Sequence, residues 1–478
     1  MPLVNPARIL PFIILVLMIF ELVVIYTGSK IAMAIVSLMV VLLPIIGFRH
    51  LKLREFYVLT ASLILGVLLF VYLPNPFEIV VKGFDRAGFL ASFILLMGVM
   101  RSAAITSPAI LECGRYVTQQ PPQRRFLGVM FGSHIFSSLL NVGALSLLVP
   151  IVQRGIRYGK PEGQPLDDIA LVRERRQVTA ILRGFAWFLI WSPTAVTQAV
   201  LPTLLHGVDI LKLMLIGFAV AFIMMMIAWI EDLVRWGPLR RRLLASGKYP
   251  YQPTPDFPKT YFLDLAVVFL VLIALSAFLK WVGGVNFISG IMLASPIILV
   301  GWVYVQAEGK GFREKKSGVA ERVQNVVMFE LPAAVREIVS FSSAGFIGTV
   351  AAYLLPTSFF VAALNIDVFP AWVVMLELTT IVLIAGQIGL SPVTMAVFLG
   401  SAVAEVPQLP MDVTLAALAI ACGSSVSTLG APFAAGILML SRVSGYETRT
   451  LSWEWNLSYS LMCLAGLGGI FMVLSMIF

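Results

Sequence analysis

The stretch Phe136-Ser-Ser-Leu-Leu-Asn-Val-Gly-Ala-Leu-Ser-Leu-Leu-Val-Pro150 lies within an apolar segment, 126–152, that is long enough to cross a membrane. A membrane-spanning helix needs about 20 apolar residues to cross roughly 30 Å of hydrocarbon. Here Asn141 and Gly143 interrupt the apolar run near its middle. Interrupted backbone at membrane depth is tolerated only where protein or a water-filled cavity surrounds it. The stretch therefore predicts a broken span inside a larger membrane protein.

The composition of the whole chain agrees with this prediction. Of its 478 residues, 59% are hydrophobic and 12% are charged, and the mean hydropathy is +0.94. An ordinary soluble domain is roughly 45–50% apolar and about 25% charged. These values exclude a disordered chain, a collagen, a disulfide scaffold and a typical cytosolic enzyme. They predict an all-α, multi-pass protein of the cell inner (plasma) membrane, in contact with lipid.

Charge and reactive residues give little sign of other partners or of catalysis. The net charge of +9 is explained by basic residues retained in cytoplasmic loops, so no nucleic-acid partner is predicted. Three cysteines and three histidines are scattered along the chain, so no dedicated metal centre and no cofactor are expected. Walker A, GxSxG and HExxH patterns are absent, so we predict that the protein is not an enzyme.

Hydropathy predicts about eleven transmembrane helices. The first is expected to be a retained helix, because no small-residue cleavage site follows it. Two further apolar stretches, 88–118 and 337–365, contain Pro and hydroxyl residues near their middle and are interpreted as re-entrant hairpins. The predicted spans are 9–26, 31–48, 57–74, 126–152, 178–205, 209–230, 262–281, 287–306, 371–400, 412–440 and 456–477.

Three charged loops, 153–177, 231–261 and 307–322, hold much of the basic charge and are expected on the cytoplasmic side. The short basic loop around Lys52 lies on the same side of the membrane as these three loops only if 88–118 enters and leaves the membrane on one side. This favours the hairpin interpretation. The stretch 319–338 is amphipathic and is expected to lie in the membrane interface.

Residues 88–205 and 337–440 have the same layout, which predicts an internal repeat. Each holds an irregular stretch, a broken span, a polar linker and a second span interrupted at a Ser/Pro or Ala/Pro pair. Two interrupted spans per half indicate a secondary transporter with its site where the halves meet. The predicted units are N-terminal scaffold helices (1–87), transport repeat 1 (88–205), scaffold helices and loops (206–336), transport repeat 2 (337–440) and a C-terminal helix (441–478).

The segment from Phe136 to Val152 resembles the S-x-x-L-N-N-x-x-x-x-x-L-L-x-P-I-V signature of the ion transporter superfamily, which includes divalent anion/sodium symporters and arsenite permease-type exporters. The resemblance covers about half of the chain. It implies two inverted repeats with re-entrant hairpins, a homodimer and an elevator-like mechanism. The chain departs from the Ser-Asn-Thr triplet of the symporters, since it has Leu140-Asn141-Val142 in one half and no Asn in the other.

The resemblance and the repeat together imply the substrate-binding residues. Two of them, Asn141 and Ser427, are candidate Na⁺ ligands. The full predicted set lines the four interruptions: Ser137, Ser138, Asn141, Gly143, Ser192, Pro193, Thr194, Thr197, Ser391, Pro392, Thr394, Ser425, Ser427, Thr428, Gly430 and Pro432.

Two charged residues within apolar stretches are further candidates, because charge at membrane depth is costly. Arg101 is interpreted as an anion partner, a hairpin salt bridge or an interfacial residue. Glu377 is a candidate proton carrier. The leading hypothesis is a secondary transporter that moves a small anionic solute coupled to Na⁺ or H⁺. A Na⁺/H⁺ antiporter of the same fold, and a non-transporting membrane subunit that docks a soluble partner, are the alternatives.

Overall fold

A computed structural model describes residues 6–121, 124–157, 166–245, 255–307 and 312–478. All regular secondary structure in these ranges is helical. The helices are α1 (Pro6–Thr27), α2 (Lys30–Ile46), α3 (Leu53–Tyr72), α4 (Pro76–Ile105), α5 (Pro108–Thr118), α6 (Arg125–Leu140), α7 (Gly143–Arg157), α8 (Asp168–Phe188), α9 (Val196–Leu204), α10 (Ile210–Ala245), α11 (Lys259–Gly283), α12 (Phe287–Gln306), α13 (Phe312–Asn325), α14 (Leu331–Ala333), α15 (Val335–Leu354), α16 (Thr357–Ala363), α17 (Ala371–Gln387), α18 (Pro392–Ala404), α19 (Val413–Gly430), α20 (Ala435–Ser444) and α21 (Leu457–Ile477).

The length and apolar character of these helices confirm a multi-pass membrane protein. Nine segments of the described chain are long and apolar enough to cross a membrane, fewer than the eleven spans expected. Four expected spans are missing from the nine: α2 is short, α6–α7 and α17–α18 are pairs of short helices, and 178–205 is divided between α8 and the short α9. Conversely, α4 and α15 count among the nine.

The hairpins predicted over 88–118 and 337–365 are therefore misplaced. Residues 88–105 continue the long helix α4, and residues 337–354 belong to α15. The polar and Pro residues that suggested hairpins lie at helix ends. Pro108 occupies the first turn of α5, where its missing N–H costs nothing, and Pro356 precedes α16.

The helix–turn–helix pairs are instead α6–α7 and α17–α18. The first pair turns at Asn141-Val142 and the second over 388–391. The interruptions predicted within 126–152 and 371–400 are thus confirmed, although both helices of each pair are too short to span. The interruptions predicted within 178–205 and 412–440 are also confirmed: α8 ends at Phe188 and α9 begins at Val196, while α19 ends at Gly430 and α20 begins at Ala435.

Helix contacts repeat between the two halves. The first helix of each pair packs along the broken span that follows it, α6 on α8 and α17 on α19. The second helix packs on the short half-helix of the other repeat, α7 on α20 and α18 on α9. The two halves therefore interlock, because each packs the second helix of its pair against the other half.

Contacts also separate the helices into two bodies. Helices α1–α4 and α11–α15 pack mainly on one another and form the first body. Helices α6–α10 and α17–α21 form the second, in which the α10 and α21 spans pack against α8 and α19. Helix α5 lies between the two bodies, and one side of α4 and of α15 faces the second body. Helix α15 approaches α18 closely, since a Cβ at Gly348 would lie 2.9 Å from the backbone nitrogen of Phe398.

The basic residues lie mainly at one end of the helical bundle. That end holds the α2–α3 connection, the α5–α6 connection and the start of α21, and ion pairs such as Arg336–Glu55 and Arg322–Glu330 join its segments. Much of the predicted loop 153–177 is helix α8, and α10 extends to Ala245. The remaining loop residues 158–165, 246–254 and 308–311 lie outside the described chain. At the opposite end, the described basic residues are Lys30, Lys82, Arg86, Lys212 and Lys280.

The amphipathic stretch 319–338 is divided among several elements. It comprises the end of α13, a π-helical turn (Val326–Glu330), α14 and the start of α15. Arg322 on α13 donates to the backbone oxygen of Ser102 at 2.9 Å, so this arm is attached to the end of α4.

Candidate functional site

The turn of the first helical pair is built on an unusual backbone conformation at Asn141. Its φ is 51° and its ψ is −132°, a region that residues other than glycine rarely occupy. The side chain compensates locally, because Asn141 Oδ1 accepts from the backbone N–H of Val142 at 2.8 Å. Strain of this kind concentrates at functional sites, so the conformation marks the turn as a candidate site.

The same side chain joins the turn to the broken span beside it. Asn141 Nδ2 donates to the backbone oxygen of Thr194 at 3.3 Å. The Thr194 hydroxyl donates back to the backbone oxygen of Ser138 at 2.7 Å and lies 2.9 Å from Ser192 Oγ. Sequence-predicted residues of the two interruptions in this half are therefore in direct contact.

The second half has an equivalent contact through different residues. Gln387, the last residue of α17, donates from Nε2 to the backbone oxygen of Gly430 at 3.1 Å. Its Oε1 accepts from the Trp453 indole N–H at 2.9 Å. A side-chain amide at the turn thus reaches the carbonyl end of the neighbouring broken span in both halves.

The backbone of the second turn explains why a different residue supplies this amide. The residue with a positive φ in that turn is Gly389, whose φ is 99°, whereas in the first turn it is Asn141. Glycine adopts that conformation without strain but brings no side chain. The positive φ and the amide, both supplied by Asn141 in the first half, are divided between Gly389 and Gln387 in the second.

Several residues near the breaks serve local structure. The hydroxyl of the predicted Thr197 donates to the backbone oxygen of Leu189 at 2.5 Å, and Nε2 of the neighbouring Gln198 donates to that of Ile190 at 2.6 Å. These bonds satisfy carbonyl groups left free where α8 ends. Ser391 caps α18 by accepting from the backbone N–H of Thr394 at 3.0 Å, directly before Pro392.

Hydroxyl groups on α19 supply the second half with unused polar atoms. Ser425 and Ser427 are fully buried, and their Oγ atoms have no hydrogen-bond partner within the described residues. Thr428 differs, because its hydroxyl donates to the backbone oxygen of Ser424 at 2.8 Å. The α17 backbone approaches Ser427 so closely that only glycine fits at Gly386. Among the described residues no cluster of His, Cys, Asp or Glu could hold a metal ion, so a cation here would be bound by hydroxyl and carbonyl oxygens.

Short helices begin at three of the interruptions with their N–H groups directed toward the breaks. Helices α9 and α20 begin after Ala195 and Ala434, and neither has a side-chain cap at its N-terminus. Helix α7 begins at Gly143. Such helix starts carry partial positive charge and favour anions. The Pro193 and Pro432 residues lie within the two breaks and prevent a continuous helix.

The two charged candidates lie at different distances from the turns. The aliphatic part of Arg101 packs on Gly143, since a Cβ at Gly143 would lie 2.7 Å from Arg101 Cδ. Its guanidinium is 3.9 Å from the Glu337 carboxylate. Arg101 therefore lies beside the first turn, between the two bodies. Glu377 lies within α17, and its Oε2 is buried without a hydrogen-bond partner in the described structure.

The hydrogen bonds of the predicted site residues stay within their own half of the described chain. Ser137 and Ser138 donate to carbonyl groups on their own helix, at 2.6 Å each. The halves meet through helix packing, for example where Phe185 lies against Gly436. Sequence reasoning missed Gly389 and Trp453. A glycine two residues after Gln387, within an interrupted apolar segment, was a signal that could have identified Gly389.

These features define a multi-pass membrane protein with two pairs of short helices and two broken spans. No protein-family model matches the chain, and no curated protein matches it. Among solved structures it is similar to the Alcanivorax borkumensis YdaH transporter, with 15% identity, a TM-score of 0.50, and coverage of 88% of this chain and 98% of that one. It is also similar to Neisseria gonorrhoeae MtrF, which is described among antimetabolite efflux pumps, with 16% identity, a TM-score of 0.51, and coverage of 88% and 94%. The chain therefore has the fold of these transporters; neither structure bears on the resemblance to the ion transporter superfamily.

Proposed function

We propose that the protein is a secondary active transporter, not an enzyme, that moves a small anionic solute across the inner membrane. The observation that carries this proposal is the pair of matching contacts, Asn141 to Thr194 and Gln387 to Gly430. Each joins the turn of a paired-helix element to a broken span, and interrupted helices of this kind form the binding sites of secondary transporters.

An anionic solute is supported by the groups around the breaks. The uncapped starts of α9 and α20 offer backbone N–H groups. Arg101 lies beside the first turn and is only loosely paired with Glu337. Because MtrF is described among antimetabolite efflux pumps, anionic antimetabolites belong among the compounds to be tested.

The coupling ion is proposed to be Na⁺ or H⁺, with no other cofactor. The unpartnered hydroxyls of Ser425 and Ser427, with the carbonyl groups exposed at the breaks, are suited to Na⁺. Asn141 Oδ1 is committed to the Val142 N–H, so in this conformation Ser427 is the stronger of the two candidate ligands.

Alternating access is proposed to occur by movement of the second body against the first, in an elevator-like manner. The separation of helix contacts into two bodies supports this. Helices α10 and α21 would move with the repeats, although the predicted units 206–336 and 441–478 placed them elsewhere. We propose that the two paired-helix elements are re-entrant, that the repeats are inverted, and that the transporter is a homodimer.

The basic end of the bundle is proposed to face the cytoplasm. Helix α4 crosses the membrane to the basic end, and the α6–α7 pair begins and finishes at that end. The basic segments around Lys52, Arg115 and Arg124 therefore lie there together with the long loops. This arrangement satisfies the positive-inside tendency better than the hairpin at 88–118 did.

The proposal is tested by the thermal stability of detergent-purified protein with a panel of organic and inorganic anions, each in Na⁺ and in K⁺ at two pH values. A ligand at 100 times its Kd stabilises the folded state by about 2.7 kcal/mol. We expect at least one anion to raise the melting temperature only in the presence of one of the two cations or at one of the two pH values. Asn141→Ala is expected to abolish that rise in melting temperature. Stabilisation that Asn141→Ala leaves intact would refute the proposed site.

A Na⁺/H⁺ antiporter is the second candidate, and the buried, unpartnered Oε2 of Glu377 is the observation that favours it. Glu377→Gln should stop an antiporter and leave an organic-anion carrier active in proteoliposomes. A non-transporting subunit that docks a soluble partner predicts instead that no anion or cation stabilises the protein.

A further inference from the structure

A cleft separate from the four breaks lies near the end of the molecule opposite the basic end. Its volume is about 300 Å³. Helices α1, α4 and α9 and the connection between α11 and α12 form its walls. Its polar lining includes Glu21, Tyr26, Asp85, Arg86, Thr203 and Ser289. The cleft lies on the boundary between the two bodies, because α9 belongs to the second and the other walls to the first.

The acidic residue at the base of this cleft is buried. Glu21 is 2% exposed, and the charges that act on it are those of Asp85 and Arg86. Among the described residues its carboxylate has no hydrogen bond or ion pair. An ionised carboxylate in such a place is costly unless it is paired or hydrated. Binding a proton, or gaining an ion-pair partner, would therefore stabilise this group.

The guanidinium that could become that partner bonds instead to the moving body. Arg86 Nη1 donates to Thr203 Oγ1 at 2.7 Å. Arg86 extends from α4 and Thr203 lies near the end of α9, so this hydrogen bond crosses the boundary between the two bodies. It is available only while α9 holds its present position against α4.

We propose that the Glu21 cleft is a proton-binding site whose occupancy is coupled to the position of α9 through Arg86. This rests on the proposed function, because it gives the alternating movement a coupling proton. When the carboxylate takes up a proton from the outer solution, Arg86 stays bonded to Thr203 and holds α9. When the proton leaves, the Glu21 carboxylate attracts Arg86, the bond to Thr203 breaks, and α9 is released.

Two other groups act electrostatically on Arg86. Asp85 is the one further carboxylate in the described lining and neighbours Arg86 on α4, and Tyr353 lies on α15. Asp85→Asn is therefore compared with Glu21→Gln, and loss of the pH response in Asp85→Asn alone would overturn the proposal. Tyr26 is a phenol, and its hydroxyl has no hydrogen-bond partner in the described chain. The α9 and α12 walls contribute the uncharged residues Thr203, Asn286 and Ser289, and the neighbouring α2 contributes the apolar Val36.

The test measures opening of the cleft without any transported solute. Ser289 lines the cleft and is 1% exposed, so Ser289→Cys reports opening through its rate of reaction with a membrane-impermeant thiol reagent. The three native cysteines, all buried, are replaced by Ala. All rates are expressed relative to that of Thr27→Cys, an exposed site at the same end, because the thiolate fraction of any cysteine rises with pH. We expect this relative rate to rise about tenfold from low to high pH, within the range typical of coupled sites.

Variants separate the proton site from the contact that it controls. Glu21→Gln should give the low-pH rate at every pH, and Thr203→Val should give the high rate at every pH. Glu78→Gln, an exposed carboxylate on the same helix, is the matched control and should behave as the parent protein. Infrared pH-difference spectra should show a protonated carboxyl band in the parent protein and in Thr203→Val that is missing in Glu21→Gln.

A pH dependence that persists in Glu21→Gln would overturn the proposal, as would slow labelling at every pH in the parent protein. Because neither measurement needs a solute, failure of the anion panel leaves this result standing. Loss of pH dependence in Glu21→Gln with a flat anion panel would retain the proton site while refuting the transport proposal. An anion-dependent rise in melting temperature, together with labelling that keeps its pH dependence in Glu21→Gln, would retain the transport proposal and refute the proton site.

Discussion

Asn141 Nδ2 donates a hydrogen bond to the backbone oxygen of Thr194 at 3.3 Å, and this bond joins the turn between α6 and α7 to the interruption between α8 and α9. The corresponding bond in the other half runs from Gln387 to Gly430. Because a break in a helix leaves carbonyl groups without internal partners, each amide satisfies one of them. The two turns and the two breaks are therefore structurally dependent on each other.

Replacing Asn141 with Gly should separate folding from binding. Glycine accepts the φ of 51° without strain, which offsets the loss of two side-chain hydrogen bonds that contribute about 1 kcal/mol each. We expect a melting temperature close to that of the parent protein and no anion-dependent shift. Asn365→Gly is the matched control, since Asn365 has a φ of 43° outside the site, and it should retain the shift. Retention of the shift in Asn141→Gly would show that the amide does not contribute to binding.

Gly389→Ala tests whether the second turn needs a positive φ. No atom lies within 4 Å of a Cβ added there, so any loss of stability comes from the backbone φ of 99°. We expect a loss of about 1–3 kcal/mol and a lower melting temperature. Gly301→Ala provides the comparison, because that site in α12 is also free of close atoms but has an ordinary helical φ. It should gain up to about 1 kcal/mol. Equal melting temperatures for the two variants would contradict the assignment.

Ser425→Ala and Ser427→Ala should test the proposed Na⁺ ligands. Removing a buried hydroxyl that has no partner is expected to leave stability in K⁺ unchanged or slightly higher. If these oxygens bind Na⁺, the melting-temperature increase caused by Na⁺ should shrink in both variants. Ser424→Ala, whose hydroxyl bonds to the backbone oxygen of Ile420 at 3.3 Å, should keep the Na⁺ response. An unchanged Na⁺ response in all three variants would show that Na⁺ binds elsewhere, and the absence of any Na⁺ response in the parent protein would leave H⁺ as the coupling ion.

Arg183 should be the most sensitive basic residue of the second body. It is 1% exposed, donates to Glu231 at 2.7 Å and to Asn456 at 3.0 Å, and lies over the Tyr459 ring. Removing one partner of a buried ion pair costs roughly 3–5 kcal/mol, so Arg183→Met should lower the melting temperature strongly.

The matched control for this prediction is Arg235→Met. Arg235 also bonds to Glu231, but at 3.3 Å and with 36% of its side chain exposed. Exposed pairs contribute about 0–1 kcal/mol, so this variant should remain close to the parent protein. Similar losses for the two variants would mean that burial does not determine the strength of the pair.

The positions of the interruptions could be predicted from the sequence because they are local. Asn141-Val142-Gly143 ends one helix, and Ser192-Pro193 and Ala431-Pro432 end two others, whatever surrounds them. The hairpins were misplaced for the opposite reason. The polar residues and Pro108 that suggested a hairpin mark the end of α4, while α1, α2, α12 and α15 pack on residues 88–105 and keep them in one continuous helix.

The contacts at the candidate site needed the tertiary structure. Asn141 meets Thr194 across 53 residues of sequence, and Trp453 reaches Gln387 across 66. No local pattern records which side chain meets which carbonyl group. The predicted binding role of Thr197 shows the same limit, since only the structure reveals that its hydroxyl bonds to the end of α8.

The sequence by itself determined that this chain is a multi-pass helical membrane protein with four interrupted apolar segments, because hydropathy and helix-breaking residues act over one or two helical turns. Only the tertiary structure decided which short helices pair, how the halves exchange their second helices, and that Glu21 and Arg86 meet Thr203 in one cleft. Those relationships depend on packing between helices far apart in sequence, where the free energy of burial and of satisfied hydrogen bonds is shared among distant residues.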